Sequence, residues 1–152
     1  MTTAYLLLGT NIGDRATNLL KARTLLARDI GIITAESSIL ETAAWGKTDQ
    51  ADFLNQAITI DTPHSPLALL QKLKSIEIEM GRVDTTQWGP RLIDIDILLY
   101  GKEIVNEPSL KIPHPYLHVR QFALLPLAEL AKDVVHPVLN KTIGELLVEC
   151  GK

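Results

Sequence analysis

Cysteine occurs once, at Cys150, so no intramolecular disulfide can form and no cysteine cluster can bind a metal. Nothing in the composition therefore asks for an oxidising compartment. Aromatic residues make up only 5% of the chain, and a basic excess is missing: 15 Lys+Arg stand against 18 Asp+Glu, a formal charge of −3. A nucleic-acid binder needs a basic surface, often interleaved with aromatics, and this composition argues against one. No stretch approaches the roughly 18 consecutive apolar residues of a membrane span. Met1 to Thr10 holds a short apolar run with no preceding basic region or cleavage signal, so a cytoplasmic protein is expected. Internal repeats and low-complexity tracts are missing as well.

What is present is ordinary globular composition, 46% hydrophobic and 22% charged, over 152 residues. That length fits a single domain, residues 1–152, and such a chain buries about two-thirds of its unfolded surface. Ala4 to Leu8 is apolar throughout and predicts a central strand, closed by Gly9-Thr10-Asn11. Ala16, Leu19, Ala22 and Leu26 recur at helical spacing, predicting a helix over Asp14 to Asp29 that Gly31 ends. Ile32 to Ala43 is rich in β-branched residues and reads as one strand, and Phe53 to Asp61 as another.

Ser65-Pro66 supplies an N-cap and a proline at the first helical position, and Leu69, Leu73, Ile76 and Met80 form the apolar stripe of a second helix. A loop from Arg82 to Arg91 leads into a strand from Ile93 to Tyr100. Later, Thr142 and Glu145 make a capping box ahead of Ile143, Leu146 and Leu147. The predicted fold class is α+β: a ferredoxin-like β-α-β-β-α-β plan, an antiparallel sheet with helices packed on one face and extra C-terminal helices.

Ile93-Asp94-Ile95-Asp96-Ile97 is the most informative string. Strand alternation sets Asp94 and Asp96 on one face and the isoleucines on the other. Two adjacent carboxylates repel unless a cation lies between them, and Mg²⁺ with phosphates suits such a pair. A solvated edge-strand face accounts for a bare pair equally well. Arg82 and Arg91 flank the preceding loop, with Trp88-Gly89-Pro90 between them. Guanidinium forks beside a diacid suit phosphate-plus-metal recognition, and simple surface pairing is the alternative.

His114 stands between Pro113 and Pro115, placed either to touch a phosphate or to satisfy local backbone. On Phe53 to Ile60, alternation puts Phe53 and Asn55 on one face. A ring to stack and an amide to read a ring edge make a platform for a flat heterocycle; a core Phe beside an edge amide is the plainer reading. Gly9-Thr10-Asn11-Ile12-Gly13 lacks the residues of a P-loop and reads as a strand-to-helix turn.

Gly81-Arg82 followed by Trp88-Gly89-Pro90-Arg91-Leu92-Ile93-Asp94-Ile95-Asp96-Ile97-Leu98 resembles the signature of the 6-hydroxymethyl-7,8-dihydropterin pyrophosphokinase family. Leu8 to Asp14 resembles that family's opening motif. Phe53-Leu54-Asn55-Gln56 and Pro113-His114-Pro115 with Arg120 and Phe122 resemble later ones, and the likeness runs from about residue 4 to 148. The resemblance implies transfer of the β,γ-pyrophosphoryl group of ATP to the hydroxymethyl oxygen of the pterin, releasing AMP, in folate biosynthesis.

It implies that Asp94 and Asp96 hold two Mg²⁺ ions and that Arg82 and Arg91 neutralise charge on the transferred group. Thr42, Ala43, Trp45, Phe53, Asn55 and Phe122 would form the pterin site. Lys74, Glu77, Arg82, Trp88, Arg91, Ile97, His114 and Arg120 would bind ATP. A monomer with small-molecule substrates, and with neither nucleic acid nor membrane as partner, is expected. Three departures stand out: Val83 to Gln87 holds no basic residue, Phe53 replaces a commonly hydroxylated ring, and Ala44 stands where proline is common.

Two other classes account for part of the pattern. A different Mg-dependent nucleotide phosphotransferase would use Asp94, Asp96, Arg82 and Arg91 but not the Phe53/Asn55 platform. A non-enzymatic ferredoxin-like binding module, for RNA for instance, would need exposed aromatics and basic surroundings.

Overall fold

The computed structural model describes residues 1–43, 51–81 and 92–151. The all-apolar run of β1 (Thr2–Thr10) has to be covered on both faces, and the chain meets that need by making β1 a central strand. After it come α1 (Arg15–Asp29), β2 (Ile32–Glu36), β3 (Leu40–Thr42), β4 (Phe53–Thr62) and α2 (Pro66–Glu79). Next are β5 (Asp94–Tyr100), the hairpin β6 (Val105–Glu107) and β7 (Leu110–Ile112), a 3-10 turn at Leu117–Val119, α3 (Gln121–Ala131) and α4 (Ile143–Cys150). The main sheet is antiparallel in the order β2-β4-β1-β5, with β3 also on β4.

The helix starts follow their caps. Asp14 accepts from the Thr17 N–H, Ser65 from the Ala68 N–H, and Thr142 and Glu145 complete the capping box of α4. Ala4, Leu6, Leu8, Ile58, Ile60, Ile95 and Ile97 face Leu19, Ala22, Leu26, Leu69, Leu73 and Ile76 of α1 and α2 in one core. Leu7, Leu98 and Leu99 face Leu117, Ala123, Leu124, Leu127, Ile143 and Leu146 in a second core on the opposite side.

The expectation of helices on one face therefore holds only for α1 and α2. The C-terminal helices cover the other face, because β1 and β5 carry apolar residues there too. A register shift between Tyr5 and Leu6 against β5 turns both Leu98 and Leu99 into that second core.

The expected single strand from Ile32 to Ala43 is broken into β2 and β3. Ser37 interrupts it: its N–H donates to the Ala57 carbonyl at 2.9 Å while its Oγ accepts the Ala57 N–H at 2.9 Å. A side chain thus takes a ladder position that the backbone would otherwise fill. Ser38 turns outward and gives its N–H and Oγ to the Glu129 carboxylate on α3, at 2.9 and 2.6 Å. The hairpin β6–β7 adds to the predicted elements, and α3, which holds Pro126 inside it, is one of the extra C-terminal helices expected.

Candidate active site

Sheet register assembles the site. Asn55 of β4 lies opposite Gly9 of β1, and Gly9 lies opposite Asp94 of β5. Directly opposite residues share a face, so Asn55, Gly9 and Asp94 form one row across three strands. The next row on that face is Ala57, Leu7 and Asp96. Strands stand about 4.8 Å apart, so the backbones carrying Asn55 and Asp94 are about 10 Å apart with no side chain between them. A Cβ at Gly9 would lie 3.4 Å from Asn55 Oδ1 and 3.6 Å from the Phe53 ring. The glycine leaves a shallow trough with an amide and a ring on one bank and a carboxylate on the other.

Asn55 is 3% exposed. Its Nδ2 donates to Thr42 Oγ1 at 2.7 Å, which holds the amide so that Oδ1 lies on the Gly9 side. Thr42 can do this because it ends β3, opposite Phe53 and two residues beyond Leu40, the partner of Asn55. The break at Ser37 thus has a consequence in the site: it moves the chain from β2 onto a new stretch of β4. Ala43 follows directly after β3, and Trp45 lies outside the described residues.

Asp94 and Asp96 are half-buried on the trough face, while Ile93, Ile95 and Ile97 are buried on the other, as the alternation requires. Arg120 lies within electrostatic reach of both. Burial pulls its guanidinium pKa down, and Asp96, Tyr116 and Asp94 act in the opposite direction. Its guanidinium stacks 5.1 Å from the Tyr116 ring centroid and 5.5 Å from that of Phe122. Phe122, in the first turn of α3, is half-buried against the second core.

His114 is held on both sides. Its backbone N–H donates to the Leu98 carbonyl of β5 at 3.1 Å, and its Nδ1 accepts the Tyr116 N–H at 3.1 Å. Burial, reinforced by the nearby charge of Arg120, lowers its pKa to about 4. The ring is therefore neutral near pH 7, and because Nδ1 accepts, its proton resides on Nε2. That makes it a fixed hydrogen-bond donor. Tyr116, which supplies both the N–H and a stacking face, was not anticipated; the His-Pro-Tyr spacing is the signal for it.

The remaining residues divide by position. Lys74 is exposed on α2. Glu77 is 7% exposed and its Oε2 accepts the Ile95 N–H at 2.8 Å, fastening α2 to the strand between the two aspartates. The side chain of Ile97 belongs to the core under the sheet, so only its backbone is available to a ligand. Arg82, Trp88 and Arg91 lie outside the described residues. Among the described residues, no third His, Cys, Asp or Glu joins Asp94 and Asp96 in a metal-binding cluster.

Comparison with known proteins shows the family of the chain. Residues 5–132 match the family model described as 7,8-dihydro-6-hydroxymethylpterin-pyrophosphokinase. The chain is 43% identical over 149 residues to 2-amino-4-hydroxy-6-hydroxymethyldihydropteridine pyrophosphokinase of Aquifex aeolicus, covering 98% of this chain and 92% of that one. It is 46% identical over 150 residues to the protein of the same name from Methylorubrum extorquens, covering 98% and 94%.

Its fold matches the crystal structure of Plasmodium falciparum HPPK-DHPS A437G/K540E, with pterin and p-hydroxybenzoate, at a TM-score of 0.79 and 21% identity. The match covers 97% of this chain and 43% of that longer one. Among the described residues, no helix is long and apolar enough to cross a membrane. The chain belongs to the 7,8-dihydro-6-hydroxymethylpterin-pyrophosphokinase family, whose members are transferases that move pyrophosphate from ATP to hydroxymethyldihydropterin in folate biosynthesis.

Proposed function

We propose that the pterin lies over Gly9, between the Asn55 bank and the carboxylates of β5, with the triphosphate of ATP arranged along Asp94, Asp96, His114 and Arg120. The observation that carries this reading is the row Asn55–Gly9–Asp94, which sets a heterocycle reader and a diacid on either side of an empty backbone position. Phe53 and Phe122 are the only two phenylalanines in the chain. In this reading they stack on opposite faces of the ring, while Asn55, oriented by Thr42, takes its amide edge and the backbone around Ala43 and Trp45 closes the pocket.

The donor set fits Mg²⁺: two half-buried carboxylates two residues apart offer hard oxygens, and the sparse protein ligation suits an ion that keeps waters and phosphate oxygens. Asp94 and Asp96 would hold two such ions, which when bound neutralise the polyphosphate. His114 donates from Nε2 to a phosphate oxygen without adding charge. Arg120, stacked against two rings, brings its guanidinium to the same chain of phosphates. Arg82 and Arg91 answer the charge that develops during transfer, Trp88 joins them against the nucleotide, and Lys74, Glu77 and the Ile97 backbone line its outer side.

In the step itself the hydroxymethyl oxygen bonds to the β-phosphorus, the bond from that phosphorus to the α,β-bridging oxygen breaks, and AMP leaves with that oxygen. The hydroxyl proton is released to water. Chemistry of this kind asks the protein for alignment and charge stabilisation more than for covalent participation. The sheet order supports the ferredoxin-like plan, and we read the protein as a monomer working in the cytoplasm.

Incubation with ATP, Mg²⁺ and 6-hydroxymethyl-7,8-dihydropterin should release AMP in step with a diphosphorylated pterin. Asp96→Ala should lower turnover by about 10³-fold or more, the scale of losing a group that organises transition-state charge. ADP as product, or near-normal turnover by Asp96→Ala, would overturn the assignment.

A further inference from the structure

The turn between β1 and α1 has no part in the transfer described above, yet its side chains reach far from it. Asn11 is a turn residue only 4% exposed. Its Nδ2 donates to the carbonyl of Ala51 at 2.9 Å, across 40 residues of sequence. Arg15, the first residue of α1, donates from one guanidinium nitrogen to the carbonyl of Asp52 at 2.8 Å and to Glu41 Oε2 of β3 at 2.6 Å. Ala51 and Asp52 are the two residues before Phe53. One short turn therefore takes two consecutive carbonyls of the chain as it approaches β4.

The turn is itself braced. Asn18, on the first turns of α1, donates to Thr10 Oγ1 at 3.1 Å and to the Ile12 carbonyl at 2.8 Å.

These contacts begin where the sheet stops. The β1–β4 ladder runs from Thr2↔Thr62 to Thr10↔Leu54 and ends one residue short of Phe53. Among the described residues Phe53 pairs only with Thr42, on the short strand β3. The end of a ladder frays, and a ring there has no backbone bond to β1 to set its height over Gly9. Asn11 and Arg15 continue the attachment beyond the last ladder pair, and Arg15 holds β3 through Glu41, the residue before Thr42.

We propose that Asn11 and Arg15 are positioning residues for the pterin site: they pin residues 51–53 and β3 to the β1–α1 turn, so that Phe53 and the Thr42–Asn55 pair present a preformed platform to the heterocycle. The proposal rests on the reading that this platform binds the pterin. It predicts a selective effect, because the nucleotide residues Asp94, Asp96, His114 and Arg120 stand on other elements.

The test measures steady-state kinetics for both substrates and direct binding of 6-hydroxymethylpterin, followed by its fluorescence. Arg15→Met should raise the KM and Kd for the pterin about tenfold, the order of one lost positioning hydrogen bond, with the KM for ATP within about twofold of wild type. Arg15→Lys, which keeps one donor for the Asp52 carbonyl, should recover most of that loss. Asn11→Ala should act in the same direction, since it removes the donor that holds the Ala51 carbonyl. If Asn11→Ala does not fold, the Arg15 pair decides the matter, because that side chain is 31% exposed.

Asn55→Ala separates the proposal from the reading beneath it. Unchanged pterin affinity in Asn55→Ala would overturn the platform itself. A large loss there, with Arg15→Met leaving pterin affinity unchanged or weakening both substrates equally, would overturn the positioning role alone.

Discussion

Replacing Gly9 by alanine puts a methyl group on the floor of the trough between Asn55 and Asp94. A Cβ there would meet Asn55 Oδ1 at 3.4 Å and Phe53 ring atoms at 3.6 and 3.9 Å, which are ordinary contact distances. Among the described residues the glycines at positive φ are Gly13, Gly81 and Gly101, and Gly9 is not one of them, so alanine can adopt its backbone without strain. Alanine in a strand interior also recovers about 0.5–1 kcal/mol of the chain entropy that glycine loses on folding. The thermal midpoint should therefore stay put or rise slightly.

The ligand has no such freedom. Carbon atoms pack at about 3.5–4.0 Å, so a ring resting on the Gly9 backbone must lift away when a methyl intervenes. Lifting it stretches its hydrogen bonds to Asn55, whose amide is fixed by Thr42. One or two bonds at roughly 1–1.5 kcal/mol each correspond to about a ten- to hundredfold loss of pterin affinity. Differential scanning calorimetry, pterin titration and AMP release on the same preparation give the three numbers. Wild-type pterin affinity in a folded Gly9→Ala protein would refute the placement of the heterocycle over Gly9.

Other consequences follow from the same geometry. Glu77→Ala leaves the Ile95 N–H without its acceptor and should cost about 1–3 kcal/mol in urea unfolding, whereas Glu77→Gln, which keeps an oxygen, should cost less; equal costs would show that the carboxylate oxygen does not support the strand. His114 titrates at about 4 in the fold against about 6.5 in the unfolded chain, so its neutral form is the one the fold holds. Stability from this group is complete above pH 6.5 and is lost as pH falls through 6.5 toward 4. His114→Gln should flatten that part of the acid limb in urea midpoints measured from pH 7 to 4, and an unchanged limb would count against it. Arg91→Ala should slow single-turnover transfer far more than it weakens ATP binding; the reverse pattern would make Arg91 a ground-state contact.

The diacid, the platform pair and the histidine between prolines could each be singled out within a few positions of sequence, each beside a plainer reading, and only the family resemblance joined them into one candidate site. Glu77 was expected, from the family resemblance, to contact the nucleotide; its bond to Ile95 depends on which strand edge α2 meets and was not legible. Gly9 and Asn11 read as a plain turn, since nothing nearby says that residue 55 will stand beside one or that residue 51 will come within reach of the other. The single strand expected over Ile32 to Ala43 failed for a related reason. Ser37 competes with the ladder only because Ala57 lies opposite it.

Strand alternation, helix caps and apolar stripes are relations among residues two to four positions apart, decided by local backbone geometry, and the amino-acid sequence determined them by itself. The rows Asn55–Gly9–Asp94 and Ala57–Leu7–Asp96, the proton on His114 Nε2, and the use of both sheet faces by helices arose only in the tertiary structure. Register between segments as far apart in sequence as Gly9, Asn55 and Asp94 is set by burial summed over the whole sheet, where a slip of one residue would turn every core side chain to the wrong face.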